Sequence, residues 1–197
     1  MDLVSTLISS GWASGVNAYL TVVLMGLLGR AGVGDVPEEL QTDGVLIAAA
    51  ILYAIEFVVD KVPLLDSAWD TVHTIVRPAI ASAVGVELGA DAGAVGVEEV
   101  FAGGGAGAMA LASHAVKAGI RLAVNTSPEP ASNIFVSLLE DGLVAGVTLL
   151  ALEHPVPAAI VAVILLVTGI ALAVFLAKRI RRAARYLRAR WSKRGPP

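Results

Sequence analysis

At 197 residues, 56% of them hydrophobic and only 16% charged, with a mean hydropathy of +0.78, the chain has too little polar surface for a water-soluble domain of its length. It has no cysteine, which excludes disulfides, thiolate metal sites and cysteine nucleophiles. Its net charge of −3 averages two unlike parts: nine of the 14 Lys and Arg residues lie within 178–194, and all 17 acids come before them. Apolar blocks followed by a basic tail are the pattern of a polytopic membrane protein with a cytoplasmic C-terminus.

Six apolar segments are predicted, at 7–28, 45–62, 75–97, 100–124, 133–152 and 156–177. Each is close to the ~20 residues that a helix needs to cross ~30 Å of hydrocarbon. The first has Asn17 among its few polar side chains. The second is clean until Glu56 and Asp60. The third is rich in Ala and Gly and is interrupted by Glu87 and Asp91. The fourth opens on Gly103-Gly104-Gly105, which permits close helix packing. The sixth is almost unbroken. Asp2 stands where a secretory leader would be basic, so no cleavable leader is expected.

Six spans place both termini on one side, and the basic tail makes that side cytoplasmic. Lys61, Arg77, Lys117 and Arg121 then fall on the inner side, against Arg30 alone on the outer. The predicted class is therefore all-α, a transmembrane bundle over 1–177 with a basic tail over 178–197. A weak internal echo suggests halves at 1–97 and 98–177: Ala13-Ser14 is echoed by Ala112-Ser113, and Leu52 to Glu56 by Leu149 to Glu153. Halves of three spans must face the membrane in opposite senses, the inverted-repeat plan of many transporters.

The densest polar cluster runs from Glu56 to His73. Glu56 and Asp60, four apart, share a helix face, and an acid more than a turn inside an apolar span is costly enough to imply function. Pro63 is expected to end or kink that helix. Asp66, Asp70 and His73 fall at i, i+4 and i+7, a face that would suit a divalent cation or a proton. The simpler alternative is a wet loop in which Asp66 caps a helix and Lys61 pairs with Asp60. No other cofactor is implied.

A second cluster, Asn125 to Asn133, holds two prolines and includes Asn125, Ser127 and Asn133. It is either a plain turn, with Ser132 or Asn133 capping the next helix, or an unwound segment lining a cavity. Glu140 and Asp141 lie inside the fifth segment, so at least one must face the interior. His114, Lys117 and Arg121 share a face of the fourth segment. Opposite signs on neighbouring spans suggest mutual pairing, which Asn17 could join.

The tail reads as a basic amphipathic helix with Ile180, Ala184, Leu187 and Trp191 on one face. Tethered to a span, it favours anionic lipid over nucleic acid. The glycine run lacks the spacing and the Lys-Ser/Thr of a phosphate loop, and no hydrolase signature is present.

Glu56-Phe-Val-Val-Asp60-Lys61-Val-Pro63 with Asp66, Trp69-Asp70, His73 and Arg77-Pro78, together with Asn125 to Asn133 and Glu140-Asp141-Gly142, resembles a bacterial integral-membrane family classed as domain of unknown function 4126. The resemblance runs from Gly11 to about Ala177. It implies membrane location and marks these polar residues as family features, but brings no substrate or catalytic residue with it. The function expected is a transporter or channel-like protein in the cytoplasmic membrane. Glu56, Asp60, Glu140 and Asp141 would serve a proton or cation, with His114, Lys117 and Arg121 as counter-charges or ligands for an anionic group. A homo-oligomer would help so small a bundle enclose a pathway. A lipid-interacting scaffold and a metal-dependent intramembrane enzyme are the rivals.

Overall fold

The computed structural model describes residues 2–125 and 130–192. Six helices follow one another: α1 Leu3–Arg30, α2 Asp43–Val59, α3 Pro63–Asp91, α4 Val97–Val124, α5 Pro130–Glu153 and α6 Pro155–Ser192, with a short 3-10 turn at Glu38–Gln41 before α2. There is no strand among the described residues. Asp2 caps α1, accepting a hydrogen bond from Ser5 N at 3.1 Å.

Two expectations about the helices need correction. Pro63 does not end a helix but begins one: it occupies the first turn of α3, where its missing N–H costs nothing. The 62–78 segment is therefore neither a wet loop nor a broken element. Val62 is the N-cap, and Asp66 lies in the first turn. The true break is at Asn17, whose φ of −150° and ψ of 96° interrupt α1. The third apolar segment also overshoots. α3 stops at Asp91, and the glycines at 93 and 96 take positive φ, turning the chain into α4.

The bundle is held at two glycine-lined crossings. α3 and α4 meet through Gly85 and Gly89 on one helix and Gly103 and Gly107 on the other. A Cβ on Gly85 would lie 2.8 Å from Ala102 O, and one on Gly103 would lie 2.7 Å from Val86 Cγ2. Gly11 and Gly15 of α1 lie against α4 at Ala106, Ala110 and Ser113. Such spacing lets backbones approach where lipid offers no hydrophobic drive to association. Gly104 and Gly105, by contrast, face open space. Gly104→Ala is therefore expected to leave the melting temperature in detergent unchanged or slightly raised, by at most ~1 kcal/mol of helix propensity. Gly103→Ala should lower it.

Three helical segments are long and apolar enough to cross a membrane: Leu3–Arg30, Ala131–Glu153 and Pro155–Tyr186. The other helices are short or two-faced. α2 has 17 residues. α3 and α4 turn large apolar side chains outward, Ile75 at 78% and Phe101 at 75% exposed, while Asp66, Asp70, Arg77, Lys117 and Arg121 are buried. Water-soluble packing would reverse that arrangement, so the molecule is a membrane-like helical protein. α6 continues through the basic region without a break. Its 38 residues extend about 57 Å, well beyond one bilayer core. The tail thus forms no separate helix but leaves the apolar part in line, with Lys178, Arg179, Arg181, Arg182 and Arg185 exposed.

Apolar side chains pack around two parts of α1. Val22 and Met25 join Ala49, Val84 and Leu88 beyond the break. Trp12, Ala13 and Val16 join Val144, Val147 and Ala162 before it. Between α1 and the ends of α2 to α5 lies a polar interior.

Candidate functional site

Four helices and the middle of α1 supply that interior. Glu56 and Asp60 come from the last turn of α2 and its C-cap. α3 presents Asp66, Asp70, His73 and Arg77 at i, i+4, i+7 and i+11, all buried on one face. α4 presents His114, Lys117 and Arg121, also buried. α5 adds Asn133, Glu140 and Asp141.

The cations form the axis. Arg77 Nη2 lies 2.8 Å from Glu56 Oε1, and its Nη1 lies 3.3 Å from Asp70 Oδ1. Lys117 Nζ lies 2.9 Å from Asp60 Oδ2, 3.6 Å from Glu140 Oε2 and 3.7 Å from Glu56 Oε1. Arg121 Nη2 lies 3.1 Å from Glu140 Oε2 and 3.2 Å from Asp60 Oδ2, and its Nε lies 3.8 Å from Asp66 Oδ1. Glu56 and Arg77 have no exposed side-chain surface at all. Burial of this kind makes each pair sensitive to loss of its partner.

The break in α1 feeds the same network. Interruption at Asn17 leaves carbonyls of the preceding turn without helical partners. Gly15 O accepts from Arg77 Nη1 at 3.3 Å, and Val16 O accepts from Lys117 Nζ at 3.1 Å. Cations at a helix C-terminus complement its dipole. Asn17 then starts the second half as an N-cap: its Oδ1 accepts from Leu20 N at 3.0 Å, while its Nδ2 donates to Asp141 Oδ1 at 3.0 Å. Tyr53 OH donates to the other Asp141 oxygen at 3.4 Å. Asn17→Leu is expected to destabilise the fold by about 2 kcal/mol, through loss of the cap and of a carboxylate partner. Asn17→Asp, which keeps the cap but faces Asp141, should be worse still. Thermal unfolding in detergent checks both.

The histidines are fixed by their partners. Arg77 Nη1 donates to His114 Nδ1 at 2.8 Å, so His114 Nε2 carries the proton and donates to Asp70 O at 3.0 Å, with Thr74 Oγ1 3.2 Å away. His73 Nδ1 donates to Trp69 O at 2.8 Å, and its Nε2 meets Tyr19 OH at 3.0 Å. Trp69 stacks on the His73 ring at 4.4 Å.

The sequence-derived candidates are placed as follows. Glu56, Asp60, Glu140, His114, Lys117 and Arg121 join one network, and Asp141 meets Asn17 at its edge. Asn125 Nδ2 donates to Asp66 Oδ2 at 2.8 Å. Asn133 is not a cap. It lies within α5, its Oδ1 accepting from Arg121 Nη1 at 2.6 Å and its Nδ2 donating to Asp60 O at 2.9 Å. Ser127 lies outside the described residues. Lys61 does not pair with Asp60: its Nζ donates to Phe57 O at 2.7 Å and lies 3.0 Å above the Phe57 ring. Asp66, Asp70 and His73 share a face but engage Asn125, Arg77 and Tyr19 separately. Among the described residues no group of three or more His, Asp or Glu is arranged to hold a metal ion. Arg77 is the member that sequence reasoning left outside the site. Its signal was available, since it extends the Asp66-Asp70-His73 periodicity by one further turn.

The network is unequal in charge. Glu56, Asp60, Asp66, Asp70 and Glu140 share three cations, Arg77, Lys117 and Arg121. Glu56 Oε2, Asp60 Oδ1 and Asp70 Oδ2 are buried with no hydrogen-bond partner. Buried oxygens of this kind invite a proton or a cation.

No curated protein and no solved structure matches the chain. The profile of the family described as Domain of unknown function (DUF4126) matches residues 4–175, and a match over that much of a membrane-like helical chain makes this protein a member of that family.

Proposed function

We propose that this is a small transporter or channel-like membrane protein whose buried network carries a proton or a cation. The carrying observation is the excess of carboxylates over cations, with donor-free oxygens on Glu56, Asp60 and Asp70. An ionised carboxylate without a partner is too costly in a dry interior, so a mobile positive charge balances the set.

The layout supports a pathway. The network starts near the α2–α3 turn and the end of α4, at Asp60, Asp66 and Asn125. It reaches inward to Arg77, about 16 Å along α3 from Asp66 by helical rise, and to the broken helix at Asn17. Discontinuous helices with ion ligands at the break are a transporter device. Beyond Asn17 the apolar packing of Val22, Met25, Val84 and Leu88 closes the way. In this reading the protein is open toward one face only.

Exchange of the halves 1–97 and 98–177 relates the α1–α3 contact to a comparable α4–α6 contact, as an inverted repeat would, but α3 packs on α4 far more extensively than α6 packs on α1. The packing of α1 on α5, with no extensive α2–α4 counterpart, departs from it. In the same reading the protein lies in a bacterial cytoplasmic membrane with both termini inside, and the basic end of α6 meets anionic headgroups, each residue adding roughly 1 kcal/mol.

The test is flux in reconstituted vesicles under imposed proton, sodium and potassium gradients. Asp70→Asn and Glu56→Gln are expected to reduce flux at least tenfold while the purified proteins still elute and melt as folded species. Specific observations also favour a scaffold, since all three cations are paired. On that reading the same variants would lose assembly rather than flux, and the wild type would show no flux at all.

A further inference from the structure

A cleft of about 280 Å³ lies between α1, α4, α5 and α6. Its walls are apolar, including Trp12, Val136, Leu143 and Leu165, and its polar lining is confined to Ser113, Thr168, Lys117 and Glu140. Glu140 is where the network reaches this space: its side chain is 14% exposed, while those of Glu56 and Asp66 have no exposure.

The hydroxyl and ammonium donors in the cleft are already used. Ser113 Oγ donates to Trp12 O at 3.0 Å, and Thr168 Oγ1 donates to Ile164 O at 2.7 Å. Lys117 Nζ donates to Val16 O at 3.1 Å and Asp60 Oδ2 at 2.9 Å, and its remaining N–H faces Glu140 and Glu56. An acceptor remains. Glu140 Oε2 takes the contacts from Arg121 and Lys117, which leaves Oε1 free. An anionic ligand would find no free ammonium or hydroxyl donor there, only the neutral Trp12 indole N–H, and no unpaired positive charge. A cation would find a carboxylate oxygen backed by a network with surplus negative charge, and apolar walls for a hydrocarbon body.

We infer that this cleft binds a small lipophilic monocation, an amine or quaternary ammonium, whose charge docks on Glu140. The inference rests on the proposed reading and names the substrate class for it. The cleft lies just below the ~300–1,000 Å³ of drug-sized sites, which restricts the occupant to a compact molecule.

Calorimetric titration of the purified full chain with benzyltrimethylammonium, and with benzenesulfonate as an anion of similar size, tests it. The cation is expected to bind, with a change in Trp12 fluorescence, and the anion is not. Glu140→Gln should weaken cation binding at least tenfold, and Val136→Trp, which fills the cleft without touching the network, should abolish it. Equal binding of both probes, no cation binding by the wild type, or cation binding unchanged in both variants would overturn the inference. Proton or metal-cation flux on the same preparation separates the two proposals. Flux without cation binding removes the lipophilic ligand and leaves the pathway standing, whereas saturable binding without any flux removes the pathway.

Discussion

Arg77→Met is expected to cost about 3–5 kcal/mol, the usual penalty for removing one partner from a buried charge cluster. The guanidinium has no exposed surface; it donates to Glu56, His114 Nδ1 and Gly15 O and forms an ion pair with Asp70. Without it, Asp70 loses its only ion pair among the described residues, and Glu56 keeps Lys117 alone, at 3.7 Å. Both carboxylates would have to take up protons or admit water. His114 would also lose the donor that fixes its tautomer. Arg77→Lys is expected to recover little, because a point charge on a shorter reach cannot fork between Glu56 and His114. The triple variant Arg77→Met, Glu56→Gln, Asp70→Asn should recover much of the loss, since it removes the stranded charges together with their partner. Thermal unfolding in detergent, read by size-exclusion elution, measures all three. A single Arg77→Met protein that melts like the wild type would show that these carboxylates are already neutral or hydrated, and the argument from charge imbalance would fail.

The helical architecture was legible because apolar runs of near-bilayer length are a strong signal, and each of the six predicted segments lies mostly on one helix. The polar interior was legible in part. Charges at i, i+3 and i+7 could be assigned to one face of α4, since helical geometry is local. Which charge meets which could not be read, because pairing depends on how helices far apart in sequence cross. Pro63 misled because proline ends one helix and starts another with equal ease, and only the three-residue turn from Asp60 decides between them. Arg77 was hidden because it stands at the start of the third apolar segment and was counted with the inner-side charges, whereas α3 begins at Pro63 and carries it into the interior. The break at Asn17 had no proline to announce it. Its cause is tertiary: Lys117 and Arg77 take the carbonyls that the helix gives up, and Asp141 takes the Asn17 amide. Gly11 and Gly15, four apart, were the overlooked clue that α1 approaches another backbone there.

Gly15 marks the point where that approach is tightest, and Gly15→Leu is the second large effect expected. Even a Cβ at this position would collide with Ser113 Oγ and with the backbone oxygen of Ala110. A flexible side chain could yield, but Ala110 O belongs to the α4 backbone, so the helices themselves must part. Overpacking of a tight contact costs about 1–3 kcal/mol by itself. Here parting α1 from α4 also draws Gly15 O from Arg77 and Val16 O from Lys117, and hydrogen bonds to charged groups are worth about 1.5–3 kcal/mol each. The two penalties share one displacement, so Gly15→Leu should yield little monodisperse protein, and Gly15→Ala should be folded but markedly less stable. Gly142→Ala and Gly146→Ala on α5, where an added Cβ meets nothing within 4 Å, are the controls and should be silent. If Gly15→Ala melts like these controls while its vesicle flux is lost, the crossing is a moving part rather than a fixed one. If it melts like them and flux persists, α1 and α4 do not touch as closely as the network requires, and the ties from Lys117 and Arg77 to the broken helix cannot both hold.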